Sequence, residues 1–524
     1  MRARRTAVGL AALSGVLYWA ACPPLGLWPL AFLCWVPLLV AMRSASPRWA
    51  ALLGGVQGLA AYFALGAWLP DVVRTFAPLH PVVCWAIPLL VAAQSALGVA
   101  LCAWAEARAS RSGFPAGLVF TLALGVKEAF YPMLFPVSAA LQVHDVPALL
   151  QLAEIGGPAL VGVPLTAANV GLAGLVRALP GRRAPVRAVA VALSVPVAAL
   201  VFGIWRMAVV DAAVRAAPAA RIAIVQANTP HAGTTLRAAI EAHVAATRAI
   251  EAGGPVDLVV WPETAFGGVV RDGELEATVR REVLGGPDGG DAPRVTSPVL
   301  SGVMLRRGTR LTNSAALFDA SGTLHGTYDK VHPLVFGEYI PLGERFPALR
   351  RWLPNAGHLT AGAPDQPALE LGGHRIETLV CYEDVLPDFT NDVARRTHPH
   401  LLVNLANDAW FGHSAAASLH FALAQLRAVE HRRYLVVAGN SGVSGFVDPD
   451  GRASGVTPVL EAATRVGVVH WLDGETIFER VGEAPWGCAA VAVLLMALGG
   501  IRVSAASRSA AAVRRGAAHT MSNG

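Results

Sequence analysis

Three side chains of the types used in nucleophilic acyl transfer sit in short, distinctive stretches of the second half of the chain. Cys381 follows the apolar run Arg375 to Val380 and opens Cys381-Tyr382-Glu383. Lys330 closes Tyr328-Asp329-Lys330, and Glu263 lies in Trp261-Pro262-Glu263-Thr264, directly after the β-rich run Val256 to Val260. Between residues 220 and 475 Cys381 is the one cysteine and Lys330 the one lysine. Forty arginines and two lysines make up the basic residues of the whole chain. A lysine kept against that bias reads as a place where a compact ammonium is wanted, because a planar guanidinium is not an equivalent point donor.

Each type has a defined chemical use. A thiolate attacks an acyl carbon, and its formation is favoured beside a cation and at a helix start. Glu263, after a proline at a strand end, suits a general base once partial burial lifts its pKa toward working pH. Lys330 suits the stabilisation of a developing oxyanion where water is excluded. Taken singly, each has a plainer fate as a packed thiol, a capping acid or a solvated lysine. Cys381 has no cysteine partner in its region, which marks it as a free and reactive thiol. No histidine or cysteine spacing matches a metal site, so neither metal nor cofactor is expected.

The elements around these residues read as α/β. The runs Ile222–Gln226, Asp257–Trp261, Val299–Met304, Ser314–Phe318, Arg375–Cys381, Leu401–Leu405 and Tyr434–Val437 predict buried strands. Apolar spacings of three and four predict helices over Thr234–Glu251 and Ser418–Arg433. The long segment Val331–Leu359 carries Phe336, Tyr339, Phe346, Trp352 and Leu353 and reads as a mobile apolar lid.

Before residue 210 the chain reads as membrane. With 54% hydrophobic and 15% charged residues it is no ordinary soluble protein. Apolar stretches near 6–22, 24–42, 49–69, 80–105, 115–135, 149–176, 187–209 and 485–503 approach the roughly 20 residues that cross a bilayer. The predicted organisation is a seven-helix region over 1–210, a catalytic domain over 220–475, a last span over 485–503 and a disordered tail over 504–524. The first 22 residues imitate a targeting signal and read as an uncleaved first span. Arg2, Arg4, Arg5, Arg43, Arg48, Arg108, Arg111, Arg177, Arg182, Arg183, Arg187 and those from Arg502 onward fall on one side of this scheme, against Arg74 on the other. Both termini are then cytoplasmic and the long segment lies outside. The net charge of +6 reports these arginines, and without a basic stripe interleaved with aromatics nucleic-acid binding is excluded. Lys127, Glu128 and Glu154, at membrane depth, are functional candidates by position.

In this order and with these flanks, Glu263, Lys330 and Cys381 resemble the nitrilase superfamily. Adding the spans narrows the resemblance to the apolipoprotein N-acyltransferase family. Val225-Gln226-Ala227-Asn228, Trp261-Pro262-Glu263-Thr264, Tyr328-Asp329-Lys330, Phe336-Gly337-Glu338, Cys381-Tyr382-Glu383, Asn407-Asp408-Ala409-Trp410-Phe411-Gly412 and Asn440-Ser441-Gly442 stand in family order. The resemblance implies an α-helical transmembrane bundle of about eight spans plus an extracytoplasmic α/β nitrilase-like α-β-β-α sandwich. It implies Cys381 as nucleophile, Glu263 as base and Lys330 as oxyanion-stabilising residue. Glu338 would support them and Tyr382 and Glu383 would line the site, with Asn407, Trp410 and Phe411 as further supporting or substrate-binding positions.

The implied reaction is ping-pong: the sn-1 acyl chain of a phospholipid passes through a Cys381 thioester to the N-terminal amine of an S-diacylglyceryl cysteine on an apolipoprotein. The implied partners are that phospholipid donor, that apolipoprotein acceptor and the bilayer, and the chain is expected to act as a monomer. Its implied place is the bacterial inner membrane, with the catalytic domain periplasmic. The sequence departs from the family pattern at His231–Thr235, which lacks a tryptophan, at His332-Pro333-Leu334-Val335, and around Glu128. Two other readings stay open: a membrane-tethered nitrilase-type amidase with water as acyl acceptor, and a non-catalytic lipid- or lipoprotein-binding module.

Overall fold

A computed structural model describes residues 2–76, 79–178, 186–230, 233–285, 294–343, 345, 346, 348 and 357–499. Trp352 and Leu353 of the expected lid, His231, Arg182, Arg183 and the tail over 504–524 lie outside the described residues.

The first part of the chain is helical, with α1 (Arg2–Ala21), α2 (Val36–Ala41), α3 (Pro47–Leu65), α4 (Leu69–Phe76), α5 (Pro81–Arg111), α6 (Leu118–Phe130), α7 (Pro147–Leu150), α8 (Ala153–Ala178) and α9 (Val186–Ala216). Among the described residues three helices are long and apolar enough to cross a membrane: α5, α8 and residues 192–216 of α9. The apolar stretch at 24–42 is not one helix. Prolines lack the N–H that a helix interior needs, so it breaks into a tight turn at Trp28–Phe32 and the short α2, each with a proline in its first turn. The stretch at 115–135 likewise yields only α6, which ends two residues before Pro132. α8 is broken at Gly156 and Gly157, just ahead of Pro158. α3 and α5 approach closely, because a side chain at Gly54 or Gly58 would collide with α5 backbone at 2.8 or 2.7 Å. Leu90, Leu97, Leu101, Val197, Val201, Ile204 and Trp205 face outward as an apolar belt.

The α/β domain follows, with strands β1 (Ala219–Gln226), β2 (Leu258–Val260), β3 (Val269–Arg271), β4 (Val299–Arg307), β5 (Arg310–Phe318), β6 (Leu324–Asp329), β7 (Leu369–Leu371), β8 (His374–Val380), β9 (Leu401–Ala406), β10 (Leu435–Gly439), β11 (Gly445–Val447), β12 (Ala453–Ser454) and β13 (Ala463–His470). One sheet runs β13-β1-β2-β4-β5-β6, with β3 beside β4, and the other runs β12-β11-β10-β9-β8-β7. Its helices are α10 (Leu236–Glu251), α11 (Leu275–Thr278), α12 (Pro387–Thr397), α13 (Ala416–His431) and α14 (Ile477–Val481), and α15 (Ala484–Leu498) closes the described chain.

Alternation along the strands builds the layers. Ile222 and Ile224 of β1 meet Leu401, Val403 and Val436 of the other sheet in the middle layer, while Ala223 and Val225 turn to Ile240 and Val244 of α10. Leu402 and Val437 face Ala417 and Ala424 of α13 on the far side. This two-fold periodicity gives an α-β-β-α sandwich. The seven expected strands are all present. Those that sequence reading passed over, such as β6 and β13, are polar or sheet-edge strands whose apolar residues do not form a continuous run.

The domain is seated on the helical region by polar ties. Glu154 of α8 takes Arg206 at 2.6 Å and Arg432 at 2.7 Å. Trp486 donates to the carbonyl of Gly156 at 3.0 Å, and the Tyr382 hydroxyl donates to the carbonyl of Leu134 at 2.5 Å. Glu154 is thus accounted for as the joint between the two regions.

Candidate active site

Three strand ends place the candidate groups. β2 leads through Trp261 and Pro262 to Glu263, β6 ends one residue before Lys330, and β8 ends one residue before Cys381. Cys381 has φ of +55°, outside the ordinary range for a residue with a side chain, and begins the tight turn Cys381–Val385. Such a backbone outlier is the kind of local strain that gathers at active sites. The turn is held by Glu383. Its carboxylate accepts from the backbone N–H of Val380 at 2.8 Å, of Val331 at 2.6 Å and of His332 at 3.0 Å, and from the Tyr328 hydroxyl at 3.0 Å. Glu383 therefore stands behind the site and fixes the ends of β6 and β8 to each other, rather than lining the site.

Glu263, Lys330 and Cys381 converge. The Lys330 ammonium lies 3.5 Å from Glu263 and 2.7 Å from Glu338, and its side chain is 1% exposed. Cys381 stands near enough to Glu263 and Lys330 for both charges to act on its thiol. Asn313 of β5 donates to Glu263 at 2.6 Å and to Glu338 at 3.0 Å, and Glu338 also accepts from the backbone of Leu334 at 2.6 Å.

The electrostatics follow from burial and these neighbours. Burial pushes the Glu263 carboxyl up, and Lys330 opposes that rise. Burial alone would lower the Lys330 ammonium, but the carboxylates of Glu338 and Glu263 outweigh it and keep the charge in place. Burial pushes the Cys381 thiol well up, with the Glu263 carboxylate adding to the effect. Burial and Glu263 thus favour the neutral thiol, while Lys330 favours the thiolate expected from the sequence.

The thiol opens on an apolar cleft between the sandwich and the helical region. It encloses about 80 Å³ and is lined by Trp68, Phe135, Leu334, Tyr382, Phe411 and Leu423 beside Cys381. A second apolar space of about 330 Å³ shares Trp68, Phe135, Leu334 and Phe411 with it and adds Phe336. Phe336 is 55% exposed and has φ of +66°. Phe411 stands edge-on to Trp68 at 5.3 Å. Asn407 donates to the Thr264 hydroxyl at 3.1 Å, tying the Glu263 turn to the end of β9. Trp410 shares the Asp408–Phe411 turn with Phe411.

His420, also in the cleft wall, bridges Asp384 at 2.9 Å and Asp408 at 3.0 Å. Burial would lower its pKa, yet the two carboxylates raise it well above the usual imidazole range. Sequence reading missed Asn313, His420, Trp68 and Phe135. Asn313 left one local trace, as a polar residue at the mouth of the apolar run Ser314–Phe318.

Among the described residues no group of histidine, cysteine and carboxylate side chains is arranged to hold a metal ion. The arrangement can take a proton from a thiol, keep a cation beside it and exclude water from an acyl chain.

Residues 221–462 match the carbon-nitrogen hydrolase family, and residues 14–171 match the apolipoprotein N-acyltransferase N-terminal domain. The chain is 32% identical to the apolipoprotein N-acyltransferase of Geobacter metallireducens, over 93% of this chain and 94% of that protein. It is 31% identical to the apolipoprotein N-acyltransferase of Azotobacter vinelandii, over 93% of each. Among solved structures, an amidase from Nesterenkonia sp. aligns with 51% of this chain and 95% of its own, at 20% identity and a TM-score of 0.36. With both halves matched and the full-length relatives covered almost end to end, the chain belongs to the apolipoprotein N-acyltransferase family, acyltransferases of the carbon-nitrogen hydrolase superfamily.

Proposed function

We propose that this chain moves the sn-1 acyl chain of a phospholipid, by way of a Cys381 thioester, to the N-terminal amine of an S-diacylglyceryl cysteine on an apolipoprotein. The observation that carries the reading is the convergence of Glu263, Lys330 and Glu338, with Lys330 3.5 Å from Glu263 and 2.7 Å from Glu338, beside Cys381 in the wall of an apolar cleft lined by both the sandwich and the helical region.

In the first half-reaction Glu263 takes the thiol proton as the sulfur attacks the ester carbonyl. Lys330 stabilises the oxyanion, and the tetrahedral intermediate collapses with expulsion of the glycerol oxygen, which receives the proton from Glu263. A lysophospholipid leaves and the acyl-thioester remains. In the second, the acceptor amine attacks the thioester, Glu263 takes the ammonium proton, and the departing sulfur recovers it. Division into two steps replaces one difficult aminolysis of an ester. Fixed charge from Lys330 is strengthened by the dry surroundings. Glu338 and Asn313 act as positioning residues for that pair.

The same reading places about eight spans in the bacterial inner membrane, with both termini cytoplasmic, the sandwich periplasmic and the chain acting as a monomer. Supporting it, Arg43, Arg48, Arg108 and Arg111 sit at the ends of α2, α3 and α5 remote from Cys381. The lid expected over Val331–Leu359 is supported by Phe336, exposed at the edge of the cleft.

The test is intact-protein mass spectrometry of detergent-purified enzyme given an acyl-labelled phospholipid and then a diacylglyceryl-cysteine peptide, beside Cys381→Ala. The expected result is one acyl adduct on the wild type, none on the variant, and transfer of the label to the peptide amine. An adduct released only to water would replace the transferase with a hydrolase, and absence of any adduct would overturn the covalent mechanism.

A further inference from the structure

α5 runs from the Cys381 cleft, where Val91 and Ser95 line the wall, to Arg111 at its far end. From Ser95 to Arg111 the rise is about 24 Å at roughly 1.5 Å per residue, close to the ~30 Å of a bilayer core. At that far end lies a second cavity of about 560 Å³. Arg43, Arg111 and Arg177 line it together with the apolar Met42, Val170 and Val189. Arg4, 5.4 Å from the Trp49 ring at the start of α3, marks the same end.

Three arginines face a single carboxylate in this cavity, so positive charge is in excess. Its one carboxylate, Glu106, is committed to the backbone: it accepts from Gly117 at 2.8 Å, Phe120 at 3.0 Å and the Ser110 hydroxyl at 2.9 Å, capping the start of α6. Among the described residues none of the three arginines forms an ion pair with a carboxylate. Arg177 donates to the carbonyl of Leu39, and its Nε is buried without a partner. Guanidinium forks match phosphate oxygens in geometry as well as charge. The volume falls in the ~300–1,000 Å³ range of small-molecule sites. Basic pockets between spanning helices are the usual seats of anionic headgroups.

We infer that this arginine-lined cavity binds one phosphate-bearing anion, with the apolar lining residues suited to the glycerol and first methylenes of an anionic phospholipid. The site is separate from the Cys381 cleft and does not depend on the reaction assigned there.

The test is native mass spectrometry of the full chain in mild detergent with added phosphatidylglycerol, phosphatidylethanolamine or sn-glycerol 3-phosphate. Retention of one phosphatidylglycerol per chain, and not of phosphatidylethanolamine, is expected, and it should fall as salt rises. Arg43→Gln with Arg111→Gln should weaken retention about 30-fold, whereas Arg43→Lys with Arg111→Lys, which keeps the charge, should retain most of it. Phospholipid held in the Cys381 cleft is indifferent to these arginines, so the paired variants separate the two sites. Displacement by glycerol phosphate at matched concentration would identify a soluble phosphate as the ligand source, and its failure to displace would identify the lipid. Equal retention of the two lipids, retention insensitive to salt, or retention unchanged in the glutamine variant would each overturn the inference.

Discussion

Asn313 illustrates how much one neutral side chain decides at this site. It donates to Glu263 at 2.6 Å and to Glu338 at 3.0 Å, so it favours the ionised form of a carboxylate that burial pushes the other way. Under the proposed mechanism Glu263 works as the ionised base, and activity is lost as pH falls through its pKa. Asn313→Leu removes a lowering influence, so the Glu263 pKa rises and the acid limb of the kcat/KM profile moves to higher pH. A lost hydrogen bond to a charged group, about 1.5 kcal/mol, corresponds to roughly one pH unit. The profile measured on detergent-solubilised enzyme checks this; an unmoved limb would mean that Glu263 is not the titrating base.

At the scale of elements, the ends of β2, β6 and β8 are held in register by close backbone contact and by one buried carboxylate. Glu383 bonds the chain on both sides of the site, at Val380 and at Val331 and His332. Gly302 in β4 lets the Glu263 turn approach the strand. A Cβ there would stand 2.5 Å from the Glu263 Cα and 2.5 Å from the Pro262 carbonyl oxygen. Both obstacles are backbone, so the turn has to move. Gly302→Ala should slow acyl-enzyme formation about 100-fold by misplacing the base and cost about 1–3 kcal/mol of stability. Burst kinetics and thermal unfolding measured together separate these effects, and wild-type burst rates would show that the turn tolerates displacement.

For the molecule as a whole, the cleft exists only while the sandwich stays docked on the helices, since Trp68 and Phe135 come from one region and Cys381, Tyr382 and Phe411 from the other. Glu154 holds the joint through Arg206 and Arg432, and the Arg432 side chain is only 9% exposed. Removing the shared acid takes one of two carboxylates from buried Arg432, which keeps Asp450 at 3.2 Å, so the loss stays below the roughly 3–5 kcal/mol of a buried pair broken outright. Glu154→Gln should therefore lower the unfolding temperature in detergent and slow transfer to the peptide amine, while Arg74→Gln, at the exposed pair with Asp71, should cost about 1 kcal/mol or less. Equal effects of the two would show that the joint lies elsewhere.

Composition and local pattern were enough to divide the chain into a membrane-like part and an α/β part, to locate the buried strands, and to single out Glu263, Lys330 and Cys381. These properties are written along the chain: an apolar period of two marks a half-buried strand, and a lone lysine or cysteine stands out against the composition. Neighbouring residues also reveal prolines that break helices, yet the break of the 24–42 stretch into a turn and α2 depended on packing as well as on Pro29 and Pro37. The role of Glu383 behind the site, the hydrogen bonds of Asn313, the Asp384–His420–Asp408 bridge and the cleft itself were hidden. They join residues far apart in sequence, as Tyr382 and Leu134 are, 248 positions from each other. A cavity is the space left when such distant surfaces meet, and a buried group takes its charge state from whatever packing brings beside it. Neither is carried by local periodicity, so both emerge only when the chain has folded.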